Sequence, residues 1–353
     1  MMSASNQSSI ESENLAAARL GDSQRFSELT EPFRRELQVH CYRILGSLHE
    51  AEDMVQETML RAWKRLDSYE GRASFRSWLY KIATNACLDV LDQRRSRRLL
   101  PPQSVPATDP HMQIAPPSRE FVWIEPIPDE WLEDISTPNP ETRYTEYESI
   151  SLAFLTALQT LPPRQRAALI LRDVLDFSAT ESAELLDLTV SSVNSALHRA
   201  RTTLSERYQA PEQKNDTHLQ ADERTQSLLD RFVKAWESAD VEGLIALLKA
   251  DATFTMPPSP SWYQGLEAIR LFTASTVFAE DGMFGGPAAG RWRLLRTNAN
   301  GSPAFAIYQK TETGQYQAFG IHVVEHEGTG ISQVTSFIDP TLPARFDLPG
   351  VLQ

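Results

Sequence analysis

Cysteine is almost missing from this chain: Cys41 and Cys87 are the two among 353 residues. Both sit in apolar, helix-like surroundings. That excludes a disulfide-framed scaffold and fits a reducing compartment. No apolar run reaches the roughly eighteen residues of a membrane-spanning helix. The first twenty residues are polar and lack the apolar core of a secretory leader, so a cytoplasmic location is expected. No Cys/His cluster has zinc spacing, no glycine-rich phosphate loop occurs, and G-x-S-x-G is absent. No metal, no cofactor and no catalytic residue is therefore expected.

Positive charge is also scarce, since the net charge is −13. Its distribution is uneven: +1 over residues 1–100, −8 over 101–149, 0 over 150–210 and −6 over 211–353. The acidity lies in one linker and one end domain. Neither helical block is strongly basic, so DNA binding by the chain alone should be weak, because phosphate neutralisation supplies most non-specific affinity. A larger partner would have to supply the rest.

What is present is a strong helical pattern at 161–204, LPPRQRAALILRDVLDFSATESAELLDLTVSSVNSALHRARTTL. Pro162 and Pro163 suit a first turn. Ala167, Ala168, Ile170, Leu171 and Leu175 make one apolar side. Ser178 stands three before Glu181, the spacing of a capping box. Asp187 and Leu188 form a turn, and Thr189 can cap a last helix with Val190, Val193, Leu197, Ala200 and Leu204 on one side. Its other face carries Ser191, Ser192, Asn194, Ser195, His198, Arg199 and Arg201. A short helix, a tight turn and a helix with a small-polar, basic face is the pattern of a helix-turn-helix. Three helices of any α-helical core give a similar pattern, since most polar helix faces are only solvated.

The rest of the chain divides around this block. Residues 1–13 read as a disordered terminus. Residues 14–98 read as helices: Leu15–Leu20, Arg25–Leu29, Pro32–Leu45, 48–69 and a last one ending in Arg94, Arg95, Arg97 and Arg98. In 48–69 the inner stripe is Ala51, Val55, Thr58, Ala62 and Leu66, with Asp53, Gln56 and Glu57 outward. In the next helix Phe75, Trp78, Leu79, Ile82, Ala86 and Val90 face inward, leaving Tyr69 and Tyr80 as the freer rings. Basic side chains near aromatics suit single-stranded nucleic acid. Residues 99–143 are a proline-rich acidic linker, yet Phe121, Trp123, Ile124, Pro126, Trp131 and Leu132 mark 121–132 as a docking segment. A lead helix from Tyr144 to Leu161 opens the 144–209 block, and 210–221 is a polar tether. Residues 222–353 read as helices 222–239 and 241–248, then strands 253–256, 292–297, 304–309, 317–325 and 331–337. A helix lies at 266–278. Helices followed by an antiparallel sheet indicate α+β. Asp251, Trp262, Tyr263, Trp292, His322 and His326 are candidate pocket groups there. A carboxylate–His pair suits acid–base chemistry, but a lone His is more often structural, and fold does not imply function.

EAEDMVQETMLRAW (50–63), SFRSWLYKIATNACLDVL (74–91) and the 161–204 block resemble regions 2 and 4 of the RNA polymerase sigma factors of the extracytoplasmic-function group. Residues 222–346, with MPPSPSWYQGLEAI and TSFIDPTLPARFDLP, resemble the SnoaL-like fold of the nuclear-transport-factor-2-like superfamily. WIEPIPDEWL (123–132) is similar to the linker motif of sigma factors fused to it. The resemblance implies a multidomain chain: two all-α sigma domains and an α+β SnoaL-like cone. It implies core RNA polymerase as partner, through the β′ clamp helices and β flap, with Asp53, Gln56 and Glu57 docking on the clamp. It also implies promoter DNA. The −10 element and melting fall to Tyr69, Arg76, Tyr80, Lys81, Asn85 and Arg94 to Arg98, with a flipped base at Tyr69 and Asn85. The −35 element falls to the 189–204 helix. Asn194 and Ala196 stand where many members carry basic residues, and Asp176 where Gly is common, although Asp adopts the same conformation. The end domain would be a built-in regulator or a sensor of a small ligand. The alternative is a DNA-binding regulator fused to a small-molecule enzyme.

Overall fold

A computed structural model describes residues 4–93, 105–118, 123–133, 147–208 and 223–353. The chain forms two compact units. One is Met1–Ser96 with Glu130–Gln209, and the other is Arg97–Asp129 with Ala210–Gln353. Arg94, Arg95, Arg97, Arg98, Phe121 and the 210–221 tether lie outside the described residues.

The first unit is helical. Helix α1 (Ala4–Arg19) replaces the expected disordered terminus. Its end is held by tertiary contacts that composition does not register: Asn14 and Ala18 are buried, and Arg25 donates to Asn14. Helix α2 (Ser23–Leu45) is one element where two were expected, and Pro32 lies inside it. An interior proline costs about 3 kcal/mol. Burial of Phe26, Leu29, Leu37, Cys41 and Ile44 offsets it, each contributing up to about 1.5–3 kcal/mol. Asp22 caps its start, and Gly46, at φ 72°, ends it by donating to Tyr42 O. Ser47 caps α3 (Leu48–Lys64), which buries Ala51, Val55, Thr58 and Ala62 as the spacing predicts. The helix stops short of 69, tightening into a 3₁₀ turn at Leu66–Ser68. Helix α4 (Phe75–Gln93) buries Phe75, Leu79, Ile82 and Ala86, and α5 (Glu130–Glu133) is a single turn.

The expected lead helix 144–161 is broken. Ile150 N bonds back to Tyr147 O, and Ser151 caps a new helix, α6 (Leu152–Gln159), by accepting from Phe154 N. A serine side chain competing for backbone donors is what starts it again there. Helix α7 (Pro163–Leu169) widens into a π turn over Ile170–Val174. Asp176 then takes φ 55°. Helix α8 (Ala179–Leu186) carries the full Ser178/Glu181 capping box and ends on Asp187 at φ 51°. Thr189 caps α9 (Val190–Arg207) through Ser192 N.

The second unit packs two helices, α10 (Glu223–Ser238) and α11 (Val241–Ile245), with one sheet. The strands are β1 (Leu248–Thr255), β2 (Trp262–Gln264), β3 (Trp292–Ala299), β4 (Ser302–Lys310), β5 (Tyr316–Glu327), β6 (Gly330–Phe337) and β7 (Val351–Leu352). Helix α12 (Leu266–Phe272) runs into a π turn, Thr273–Val277, and α13 is Leu342–Arg345. The order is β2-β1-β6-β5-β4-β3, with β7 on β5. The sheet is mixed, not antiparallel as expected, because β1 pairs parallel to β6. Strand periodicity tells which side chains share a face but not which way a distant partner runs. β2 and β7 escaped the pattern because they are too short to show alternation. Asn300 and Gly301, at φ 56° and 73°, turn β3 into β4 as an Asn-Gly hairpin should. Phe232, Trp236, Phe254, Tyr263, Phe272, Trp292 and Phe305 fill the core between α10 and the sheet.

Candidate functional site

On α3 the buried stripe leaves Asp53, Gln56 and Glu57 on the opposite side. Glu57 accepts from Arg61 Nε at 2.7 Å, and Arg61 also reaches Asp89 at 3.1 Å. Asp53 lies 3.9 Å from His49. Leu60, one turn on, is 47% exposed. Acidic and polar groups around an exposed leucine suit a protein partner; the apolar member was missed because Leu60 counts as core in any helical pattern.

The α4 surface is split in two. Trp78, Lys81 and Asn85 are half-buried at helical spacing. The Tyr69 ring lies 5.2 Å from Trp78 and 5.4 Å from Phe75, with its hydroxyl donating to Ala73 O. Tyr69, Trp78 and Asn85 thus form one aromatic and amide-bearing surface. Tyr80 belongs elsewhere and corrects the expectation of a free ring: it is 1% exposed. Arg76 packs over it at 4.6 Å, and Glu36 accepts from Arg76 at 2.8 Å and from Tyr80 at 3.2 Å. Burial pushes Tyr80 well above the usual tyrosine range, and the Glu36 charge adds to this. The reason is helical phase, since positions 76 and 80 turn toward α2 and not outward.

In α9 Ser191, Ser192, Asn194, Ser195, His198, Arg199 and Arg201 are all exposed, while Val193, Ala196, Leu197 and Ala200 are buried. Arg201 is bound by Asp173 at 2.6 and 2.9 Å. The 152–207 helices also pack on the 23–93 helices, which the sequence pattern did not indicate. Buried Arg166 donates to Ile44 O at 2.5 Å, Gln159 O at 3.0 Å and Leu161 O at 3.1 Å. A cation on the last carbonyls of α2 complements that helix end. Phe177 covers Tyr80 with ring centres 5.4 Å apart, and Lys81 pairs with Asp187 at 2.6 Å. Arg166, Phe177 and Asp187 were missed because a long-range contact leaves no periodic trace.

In the second unit the expected pocket groups do not converge. Asp251 is exposed. Tyr263, Trp292 and His322 are packed within the core: His322 is 4.6 Å from Trp236 and 6.2 Å from Phe254, and Tyr263 stacks on Phe272 at 4.2 Å. No Asp251–His322 acid–base pair forms, because one group faces water and the other the core. Burial pushes His322 down to about 3. Trp262 points the other way, its indole donating to Val105 O at 2.9 Å. An open groove runs instead along α10 and β3, lined by Asp230, Val233, Lys234, Glu237, Leu294 and Arg296. His326 lies further along β5 and does not line it.

The linker is tied down at both ends of its described part. Thr108 N donates to Trp262 O at 2.8 Å, and Ser259 donates to Ala115 O at 2.8 Å. At the other end Ile127 N donates to Asn300 Oδ1 and Ile127 O accepts from Asn300 N, each at 3.1 Å. Gly301 N donates to Asp129 Oδ1 at 2.8 Å, and Pro128 bridges Ala299. Pro126 is buried and Trp123 half-buried. Trp131 begins the helical unit again, 8% exposed, with the Arg35 guanidinium 4.4 Å from its ring centre.

Comparison with known proteins agrees with this division. Residues 29–97 match the Sigma-70 region 2 family, 151–204 the Sigma-70 region 4 family and 229–334 the SnoaL-like domain. The ECF RNA polymerase sigma factor SigG of Mycobacterium tuberculosis is 41% identical over 344 residues, 96% of this chain and 86% of that protein. SigW of Bacillus subtilis is 29% identical over 184 residues, 52% of this chain and 89% of that protein. The crystal structure of Mycobacterium tuberculosis SigJ shares the fold, with a TM-score of 0.56 at 20% identity, covering 92% of this chain and 99% of that one. With two sigma regions in order, a SnoaL-like domain behind them and a relative matched almost end to end, the chain belongs to the extracytoplasmic-function RNA polymerase sigma factors.

Proposed function

We propose that this sigma factor places core RNA polymerase on its promoters through three faces. The outward face of α3, with Asp53, Gln56, Glu57 and Leu60, docks on the clamp helices of β′, and region 4 meets the β flap. The surface of Tyr69, Trp78, Lys81 and Asn85 receives the melted −10 strand: a ring stacks a flipped base and the amide reads its edge. The exposed face of α9 meets the −35 element. Its small residues allow close approach, and its few cations imply that polymerase supplies much of the affinity.

The SnoaL-like domain is a regulator with an enzyme-like fold. Its hold on linker residues 105–129 supports a role in setting how regions 2 and 4 are presented to polymerase. Its aromatic core and buried His322 favour this over a fused enzyme.

The observation that carries the proposal is the α3 face, acidic and polar around an exposed leucine, on a helix whose other side is fully buried. Co-purification with core polymerase tests it. Asp53→Arg or Glu57→Arg should abolish binding while the helical content stays unchanged. Undiminished binding in both variants would remove the α3 assignment. Deleting residues 210–353 should change promoter output; unchanged transcription would end the regulatory role.

A further inference from the structure

The end of α1 reaches the turn that carries Tyr69. Arg19, the last residue of that helix, is exposed. Its Nη2 donates to the carbonyl oxygen of Tyr69, 50 residues along the chain. The helix end that presents it is fixed. Gly21, at φ 98°, closes it: Gly21 N bonds to Ala18 O at 3.0 Å and Asp22 N to Ala17 O at 3.2 Å, the pattern of a Schellman cap. Ala18 is buried, and Asn14 accepts from Arg25. The Tyr69 ring is held separately, by Phe75, Trp78 and the bond of its hydroxyl to Ala73 O. An arginine at a helix end is ordinarily explained by its attraction to the last carbonyls. Here Gly21 and Asp22 close those carbonyls, and the side chain is turned onto Tyr69 instead.

We infer that Arg19 belongs to the −10 site: it fixes Tyr69 through its carbonyl and offers the rest of its guanidinium to a phosphate of the flipped nucleotide. This rests on the reading that Tyr69 stacks that base. A guanidinium has five N–H donors in a planar fork. The bond to Tyr69 O leaves the others open to water, and among the described residues no carboxylate pairs with Arg19. The cations of the following turn and of α4 are committed: Arg72 pairs with Glu70, Arg76 with Glu36 at 2.8 Å and Lys81 with Asp187 at 2.6 Å. A base stacked on the Tyr69 ring brings its backbone along the surface beside that ring. A side chain already bonded to the Tyr69 peptide is within reach of it. The fork can take two phosphate oxygens in parallel, which a lysine cannot. The inference gives α1 a part in DNA binding, although it precedes residues 29–97, the stretch matched to region 2.

The test uses holoenzyme reconstituted from core polymerase and the full chain. The probes are the non-template strand of a promoter it transcribes and a set of the same strand, each with one neutral methylphosphonate, stepped along the −10 element. Arg19→Ala should weaken binding of the natural strand roughly tenfold by anisotropy, the scale of a hydrogen bond to a charged group. It should also lower the slope of log affinity against log salt by about 0.7, one counterion on a single strand. One methylphosphonate position should weaken the parent by a similar factor and leave Arg19→Ala unaffected. Arg19→Lys should keep the salt slope and lose part of the affinity. Leu20→Ser, at the next position and 91% exposed, should match the parent throughout. A set in which no position separates the parent from Arg19→Ala would overturn the phosphate contact, whatever alanine does to the turn. Tyr69→Ala is read alongside. Undiminished strand binding there overturns the stacking reading itself, while a loss there with parent-like behaviour in Arg19→Ala overturns the Arg19 inference alone.

Discussion

Lys81 and Asp187 stand 106 residues apart and are joined by an ion pair of 2.6 Å. One is on the helix assigned to the −10 strand, and the other is the left-handed residue between the helices of the helix-turn-helix. A half-exposed pair of this kind contributes at most about 1 kcal/mol. Its value is as a marker of where regions 2 and 4 meet.

Tyr69 and Asn85 should be dispensable for polymerase binding and needed for melting. Tyr69→Ala removes the ring packed on Trp78, and Asn85→Ala the edge-reading amide. Each should slow open-complex formation roughly tenfold, given about 1–3 kcal/mol for a stacked base. Permanganate footprinting of the promoter measures it. Parent-level reactivity would count against the flipped base.

Asn300 does two things: it turns the β3–β4 hairpin and holds Ile127 of the linker. Asn300→Gly keeps the left-handed turn and removes the side-chain acceptor for Ile127 N. It should cost about 1–3 kcal/mol and speed protease cleavage between 123 and 131. Asn300→Ala should cost more, since alanine is strained at φ 56°. Limited proteolysis with thermal unfolding separates the two effects.

Two groups on β5 set opposite pH limits for the end domain. Burial holds His322 at about 3, far below its ordinary 6.5. The unfolded chain therefore gains a proton first, and stability falls as pH drops from 6.5 toward 3. Desolvation, with Glu327 beside it, raises Glu325 to about 7 from 4.5. The unfolded chain loses that proton first, so stability falls as pH rises from 4.5 toward 7. His322→Phe should flatten the acid side and Glu325→Gln the other, read as melting temperature against pH. Parallel pH profiles in parent and variants would refute both.

The capping box of α8 should be felt in the helix-turn-helix. Ser178→Ala removes the acceptor for Glu181 N and should cost about 1 kcal/mol. The Glu181 carboxyl is held below its usual range by its bonds to Ser178. Its stabilisation is therefore present above the ordinary carboxylate pKa and fades as pH falls through the lowered one. Thermal unfolding of Glu181→Gln across acid pH tests this; an unchanged slope would remove the role.

Much of the molecule was legible without coordinates. The buried stripe of α3, most of those of α4 and α9, the Thr189 cap and the capping box are local: each depends on residues within one or two turns of helix. At the edges of the stripes Trp78, Val90 and Leu204 are only half-buried and Val190 is 39% exposed, because how far a stripe is covered depends on the neighbouring element. Tolerance of Asp for the left-handed conformation at 176 followed from its side chain alone. The exposed faces at Asp53 and Ser191–Arg201 came with the stripes, because a helix that buries one side shows the other.

What the sequence could not decide was settled between residues far apart. Pro32 passes through a continuous helix because burial along α2 outweighs one missing hydrogen bond. Tyr80 is buried because α2 supplies Glu36 and region 4 supplies Phe177. Asp251 and His322 part company because β6 runs between their strands, and parallel to β1. Arg166 on Ile44 O and Lys81 on Asp187 bring regions 2 and 4 together. Local chemistry determined which segments fold and which side of each is apolar. Only the tertiary structure decided which polar groups were left for a partner, because burial and pairing belong to the neighbours that the fold brings near.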